Sequence, residues 1–222
     1  MKNTFYITTT LPYVNADPHL GHALEFVHAD IIARYKRLLG QEVFFNIGTD
    51  EHGQKILEKA VLEGKGPQEH ADHYAARFRQ FADMLAISYT NFIRTTDAHH
   101  KMAAGEFWKR CEANGDIYKK LYTVKYCVGC ELEKSDSELL EGKCPIHPGT
   151  EIQLREEENY FFRFSKYKER LLNLYNENLD FILPPTRRTE ITKFVQRGLQ
   201  DFSISRLKEK MAWGIGVPGD EE

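Results

Sequence analysis

Apolar positions along the first half of this chain follow two alternating rhythms. FYIT at 5–8 and VFFNI at 43–47 are short continuous apolar runs, the pattern of strands buried in a parallel sheet. Between them Ala23, Val27, Ile31, Tyr35 and Leu38 recur at helical spacing on one face. Asp17 followed by Pro18 reads as N-cap and first helical residue, and Gly40 as the stop. Strand, helix and strand predict a right-handed βαβ unit. Two further helices are expected over 67–87, with Ala71, Tyr74, Phe78, Phe81 and Leu85, and over 97–114, with Phe107, Trp108 and Cys111. From 116 to 164 the pattern turns short, strand-like and turn-rich. A helical pattern returns over 165–177, and Pro184-Pro185 punctuates before a basic helix over 187–199. The fold class is α/β.

A length of 222 residues suits one or two compact domains, and a net charge of -3 argues against a protein that coats nucleic acid non-specifically. No apolar run reaches the roughly 20 residues of a membrane span, and the N-terminal residues lack an export-signal pattern. No membrane association and a cytoplasmic location are expected.

The densest chemistry lies in TTLPYVNADPHLGH at 9–22. His19 and His22 flank Gly21 where an apolar strand gives way to a helix. A helix N-terminus attracts anions, and imidazole donors beside it add hydrogen bonds to charge developing on a phosphate. Gly21 permits close approach of a nucleotide. The catalytic candidates are therefore His19, Gly21 and His22, with Pro12, Asn15 and Pro18 of the same loop counted in the nucleotide site. GTDEHG at 48–53 follows the second strand. In open parallel sheets ligands bind beyond the carboxyl ends of the strands, where both loops fall.

The second constellation is Cys127, Cys130, Cys144 and His147, a C-x2-C-x13-C-x2-H spacing. Three thiolates and one imidazole in two tight pairs suit one tetrahedral, structural Zn2+ per chain. The intervening ELEKSDSELLEGK is too polar to build a core, so the metal replaces one. Cys111, on a helix face with Phe107 and Trp108, reads as a small core residue and not as a ligand.

With LPYVNADPHLGH, GTDEHG, DFSISR at 201–206 and WGIGVP at 213–218, the chain resembles the methionyl-tRNA synthetases among the class I aminoacyl-tRNA synthetases. The resemblance implies activation of L-methionine with ATP and Mg2+, then transfer to tRNA(Met). It implies the first half of a Rossmann-like catalytic domain over 1–115. A zinc-binding connective-peptide insertion follows over 116–222, with its metal site at about 125–150 and return helices after it. It implies that Asp50 pairs with the substrate's ammonium group and that Leu11 and Tyr13 line the methionine pocket. His52 and Arg206 are candidates for supporting roles. The resemblance also implies a second, lysine-bearing signature, K-M-S-K-S. Lys210-Met211 is followed by Ala212-Trp213, which does not match it. The chain is accordingly expected to be an incomplete fragment that lacks an anticodon-binding domain and is inactive or very poor in aminoacylation alone.

Arg187, Arg188, Lys193, Arg197, Arg206, Lys208 and Lys210 form a basic stretch, read as a solvated face with weak contact to tRNA phosphates as the alternative. His28, His70, His73, His99 and His100 read as solvated helix positions. Two other functions stay open: an H-x-G-H nucleotidyltransferase acting on a different substrate, and a zinc-dependent RNA- or protein-binding module.

Overall fold

A computed structural model describes residues 3–130, 132–134, 138–208 and 211–220. Lys210 of the basic stretch lies outside the described residues, as do positions 131 and 135–137 of the polar segment between the cysteine pairs. The chain divides into two compact units: Met1–Trp108 with Lys208–Glu222, and Lys109–Leu207. The segment from Lys208 thus clusters with the N-terminal unit.

In the first unit β1 (Thr4–Thr8), β2 (Glu42–Thr49) and β3 (Asn91–Arg94) form a parallel sheet in that order, with Phe5 opposite Val43 and Ile47 opposite Phe92. Helix α1 (Leu20–Leu38) is the predicted crossover between β1 and β2. Helices α2 (Gln54–Leu62) and α3 (Pro67–Met84) connect β2 to β3, and α4 (Ala98–Ala113) follows. The core joins Phe26, Ala29 and Ala33 of α1 to Phe45 and Ile47 of β2 and to Phe78 of α3. Each large side chain so buried contributes about 1.5–3 kcal/mol. No described helix is long and apolar enough to cross a membrane.

Helix α1 packs by the face opposite to the expected one. The stripe Val27, Ile31, Tyr35 and Leu38 is exposed, Ile31 at 59% and Leu38 at 86%. The opposite face packs because Ala29 and Ala33 admit the sheet closely, and because its one carboxylate, Asp30, is matched. Asp30 accepts from the Ser88 N–H at 2.7 Å and from the Arg34 guanidinium at 2.6 Å. Helix α1 begins at Leu20 with His19 as N-cap, so Asp17 and Pro18 precede it. Its end is closed by Leu39 and then Gly40, whose φ of 75° is the left-handed turn expected of a helix stop. Helix α2 has no counterpart in the sequence reading. It follows the GTDEHG loop directly, and its nine residues are too few for a clear periodicity. Helix α4 buries no side chain, and Phe107 is 70% exposed, so Cys111 is half-buried on it and not a core residue.

In the second unit β4 (Ile117–Cys127) pairs antiparallel with β6 (Ile152–Phe162) along its whole length. β5 (Leu132–Lys134) and β7 (Phe202–Ser203) flank them in the order β5-β4-β6-β7. A 3-10 turn leads into α5 (Lys168–Glu177), and α6 (Pro185–Gln196) follows with Pro185 at its first turn. Tyr175, Val195 and Leu199 form the core of that helical part. Asp116 anchors the base of β4: its buried carboxylate accepts from Lys166 at 2.7 Å and from the Tyr167 hydroxyl at 2.6 Å.

Candidate functional site

Beyond the carboxyl ends of β1 and β2 the two distinctive loops are stitched together. The Asp50 N–H donates to the Pro12 carbonyl at 2.9 Å, and the Val14 N–H donates to the Asp50 carbonyl at 3.3 Å. Tyr13 and Asp50 form an isolated parallel bridge there. The β1-β2 ladder ends at Thr8 opposite Asn46, and this isolated bridge joins the chains again at the edge where parallel sheets bind ligands. Pro12 is buried, Leu11, Asn15 and Pro18 are half-buried, and Tyr13 keeps its ring accessible. Burial pushes the Asp50 carboxyl up, an effect that His52 and the Thr95 hydroxyl oppose without cancelling. Burial and the neighbouring Asp50 raise the Tyr13 phenol as well.

The histidine pair caps α1. The His19 Nδ1 accepts from the Gly21 N–H at 3.1 Å, and the His22 Nδ1 accepts from the His19 N–H at 3.2 Å. The rings stack 3.8 Å apart. Burial, then the neighbouring His19, lowers the His22 pKa against the opposing pull of Glu25. A neutral ring whose Nδ1 accepts carries its proton on Nε2. With the Gly21 N–H and the His19 N–H already engaged, the side-chain donors at this helix end are the imidazole Nε2–H groups. A Cβ at Gly21 would lie 2.9 Å from the His19 Cε1, so only glycine lets that ring fold over the first turn. Glu25 ties α1 back to the loop by accepting from the Thr10 N–H and hydroxyl, both at 2.6 Å.

A buried ionic network supports the second loop. Glu51, fully buried, accepts from the Arg94 Nε at 2.6 Å, the Arg94 Nη2 at 2.9 Å and the Thr49 hydroxyl at 2.7 Å. Arg94 also donates to Asp72 at 2.6 Å. The Trp213 Nε1–H donates to the Glu51 carbonyl at 2.8 Å, and Trp213 packs against the cluster of Val14, Ile56 and Ala71. His52 braces the loop with Nε2 3.1 Å from the Thr95 carbonyl, its ring centroid 5.4 Å from that of Trp213. Three side chains of α2 and α3 hold the first loop. Lys59 donates to the Asn15 carbonyl, His70 contacts the Val14 carbonyl at 3.1 Å, and Arg77 pairs with Asp17 at 2.9 Å.

The solvated reading of His70 is thus wrong: it is fully buried and bonded, whereas His28, His73 and His99 are exposed. Glu51, Arg94, Trp213 and His70 escaped the sequence reading as site residues. Glu51 and Trp213 had a signal in their places within GTDEHG and WGIGVP, whereas Arg94 had none. Arg206 lies in the second unit, exposed, where it donates to the Ser203 hydroxyl at 3.0 Å and the Ser205 carbonyl at 2.7 Å.

Cys127, Cys130, Cys144 and His147 meet at the end of β4 with their ligand atoms within 4.8 Å of one another. The Cys130 Sγ lies 3.4 Å from the Cys144 Sγ and 3.1 Å from the His147 Nδ1, which is 3.9 Å from the Cys127 Sγ. A tetrahedral ion at zinc bond lengths requires ligand separations of about 3.5–3.8 Å. The cluster is compatible with zinc. A Cβ at Gly129 would lie 2.6 Å from the His147 ring, so the turn between the first two cysteines requires glycine there. Cys111 is not in the cluster.

A family model described as tRNA synthetases class I (M) matches residues 5–151 and 147–222. Among curated relatives, the methionine–tRNA ligase of Thermosynechococcus vestitus is 49% identical over 223 residues, covering 100% of this chain and 42% of the relative. That of Thermotoga maritima is 46% identical over 221 residues, covering 98% and 35%. The chain therefore spans about two-fifths of these relatives' length. Among solved structures, a Mycobacterium tuberculosis methionyl-tRNA synthetase in complex with methionyl-adenylate superposes with a TM-score of 0.85 at 43% identity, covering 98% of this chain and 43% of that one. The apo form of that enzyme gives 0.72 at 39% identity, covering 99% and 42%.

Proposed function

The chain belongs to the class I (M) family of tRNA synthetases, and on that premise we propose that it carries the loops that activate methionine with ATP. The methionyl group then passes to tRNA(Met) in the cytoplasm. The observation that carries this reading is the bridge between Tyr13 and Asp50, which joins the two loops at one sheet edge beside the capped end of α1. In this reading the methionine carboxylate attacks the α-phosphate of ATP in line, pyrophosphate leaves, and methionyl-adenylate remains. Positioning and charge stabilisation supply most of the acceleration.

His19 and His22 would each donate an Nε2–H to phosphate oxygens as charge builds there. Pro12, Asn15, Pro18 and Gly21 would shape the nucleotide site. Asp50 would accept the methionine ammonium group, and Leu11 and Tyr13 would line an apolar slot for the thioether, which shape must recognise because it hydrogen-bonds weakly. Mg2+ bound with ATP would neutralise the leaving pyrophosphate. His52 would hold the second loop, and Arg206 would have a supporting role.

Residues 1–115 would form the first half of the catalytic domain and 116–222 the connective-peptide insertion. Cys127, Cys130, Cys144 and His147 would hold one structural Zn2+, whose four protein ligands leave no open position. Amino-acid-dependent ATP–pyrophosphate exchange tests the reading. Stimulation by methionine supports it, and stimulation by another amino acid alone refutes it.

A further inference from the structure

His70 lies on α3, fully buried, with both ring nitrogens engaged. Nε2 is 3.1 Å from the Val14 carbonyl oxygen, and Nδ1 is 3.2 Å from a Glu63 carboxylate oxygen. Both partners are acceptors. A neutral imidazole offers one donor and one acceptor, so it satisfies one of these contacts and opposes the other. A ring protonated on both nitrogens satisfies both.

The surroundings favour that form. Glu63, just past α2, accepts from Lys65 at 3.0 Å, a bond that holds its carboxyl below the usual range. On α3 the Tyr74 ring lies 4.8 Å from the His70 ring. On the loop side Asp17 is already paired with Arg77, and Lys59 of α2 takes the Asn15 carbonyl. Glu63 is thus the carboxylate in contact with the buried ring, and a buried charge needs such a partner.

Val14 is the point through which this contact acts. Its N–H is bonded to Asp50 and its side chain is buried with Ile56 and Ala71, between Tyr13 and Asn15. We propose that His70 is a doubly protonated positioning residue that clamps the Val14 carbonyl and so sets the loop that receives methionine and ATP. The substrate part rests on the function proposed above, whereas the clamp does not. When the ring loses a proton, the carboxylate keeps the one on Nδ1, because a charge-assisted bond is the stronger. The bare Nε2 then faces the Val14 oxygen, and the loop loosens.

The test reads ring-nitrogen NMR and amide hydrogen exchange on the 222-residue chain across the histidine titration range, in wild type, Glu63→Ala and His70→Phe. In wild type two ring N–H groups should give way to one on Nδ1. Protection of the Val14 amide should then fall about tenfold while that of Ile47 in the central strand holds. Glu63→Ala frees the neutral ring to keep its proton on Nε2, so Val14 protection should become independent of pH. His70→Phe should leave Val14 weakly protected throughout. A single ring proton in wild type at every pH overturns the proposal, as does Val14 protection indifferent to pH. Should His70→Phe not fold, the other two chains still decide. If the clamp behaves as expected but methionine stimulates no ATP–pyrophosphate exchange, it is the functional reading that fails.

Discussion

Tyr13 and Asp50, 37 positions apart in sequence, face each other as isolated bridge partners, five residues past the end of β1 and one past the end of β2. The backbone bonds of the bridge fix where the Asp50 carboxylate sits, while burial raises its pKa. A carboxyl whose pKa is raised on folding weakens the fold as pH rises from the usual carboxylate value through the raised one, and the whole penalty is present near neutral pH. Asp50→Asn should therefore raise the melting temperature near neutral pH. The same substitution should weaken methionine binding about 10–100-fold, the loss of a hydrogen-bonded charge. Calorimetry of unfolding and of methionine binding checks the two effects separately.

Glu51 and Arg94 make a second, sharper prediction. Arg94→Met leaves a fully buried carboxylate without its cation, which should cost about 3–5 kcal/mol in denaturant unfolding. Replacing both, as Glu51→Leu with Arg94→Met, should recover most of that loss, because the uncompensated charge is gone. A double variant no more stable than the single one contradicts the assignment.

Metal removal should act locally. Chelation should strip protection from the Cys127–Cys144 region, where the polar segment between the pairs offers no core to replace the ion. The β1-β2-β3 sheet, with its own core of Phe26, Phe45 and Phe78, should keep its exchange protection. Native mass spectrometry should find one zinc per chain, and none in Cys130→Ala.

The second unit carries its own acid sensitivity. The Lys166, Tyr167 and Asn114 donors hold the Asp116 carboxyl down at about 2. A depressed carboxylate contributes stability that is present above its unfolded pKa and lost as pH falls through its folded one. Acid unfolding of this unit should therefore steepen between about pH 4 and 2. In Asp116→Asn the unit should be weaker near neutral pH and lose that part of its acid slope, as followed by fluorescence.

Legibility in the sequence followed the range of the interactions. The βαβ unit was readable because apolar runs and turn residues are local signals, and the metal cluster because its ligands come in two pairs of fixed spacing. The buried face of α1 was misread because it contains Asp30, whose partner Ser88 lies 58 positions away, and two alanines that carry little hydropathy. The histidine cap was visible as a motif, but its Nδ1 bonds, which turn the Nε2 donors outward, appear only in three dimensions. Glu51 with Arg94, Trp213 with Glu51, and His70 with Val14 join positions 43, 162 and 56 residues apart, beyond any local pattern.

The proposed role of the His19 and His22 imidazoles is to stabilise charge developing on the ATP phosphates beside a methionine site. Its most direct measurement is methionine-dependent ATP–pyrophosphate exchange with these residues carried in a polypeptide of the relatives' full length, comparing wild type with His22→Ala. Exchange should respond to methionine and not to leucine, isoleucine or valine. The substitution should lower turnover about 10²–10³-fold with little change in the KM for ATP. Unchanged turnover with weakened ATP binding, or exchange driven by another amino acid alone, would contradict that role.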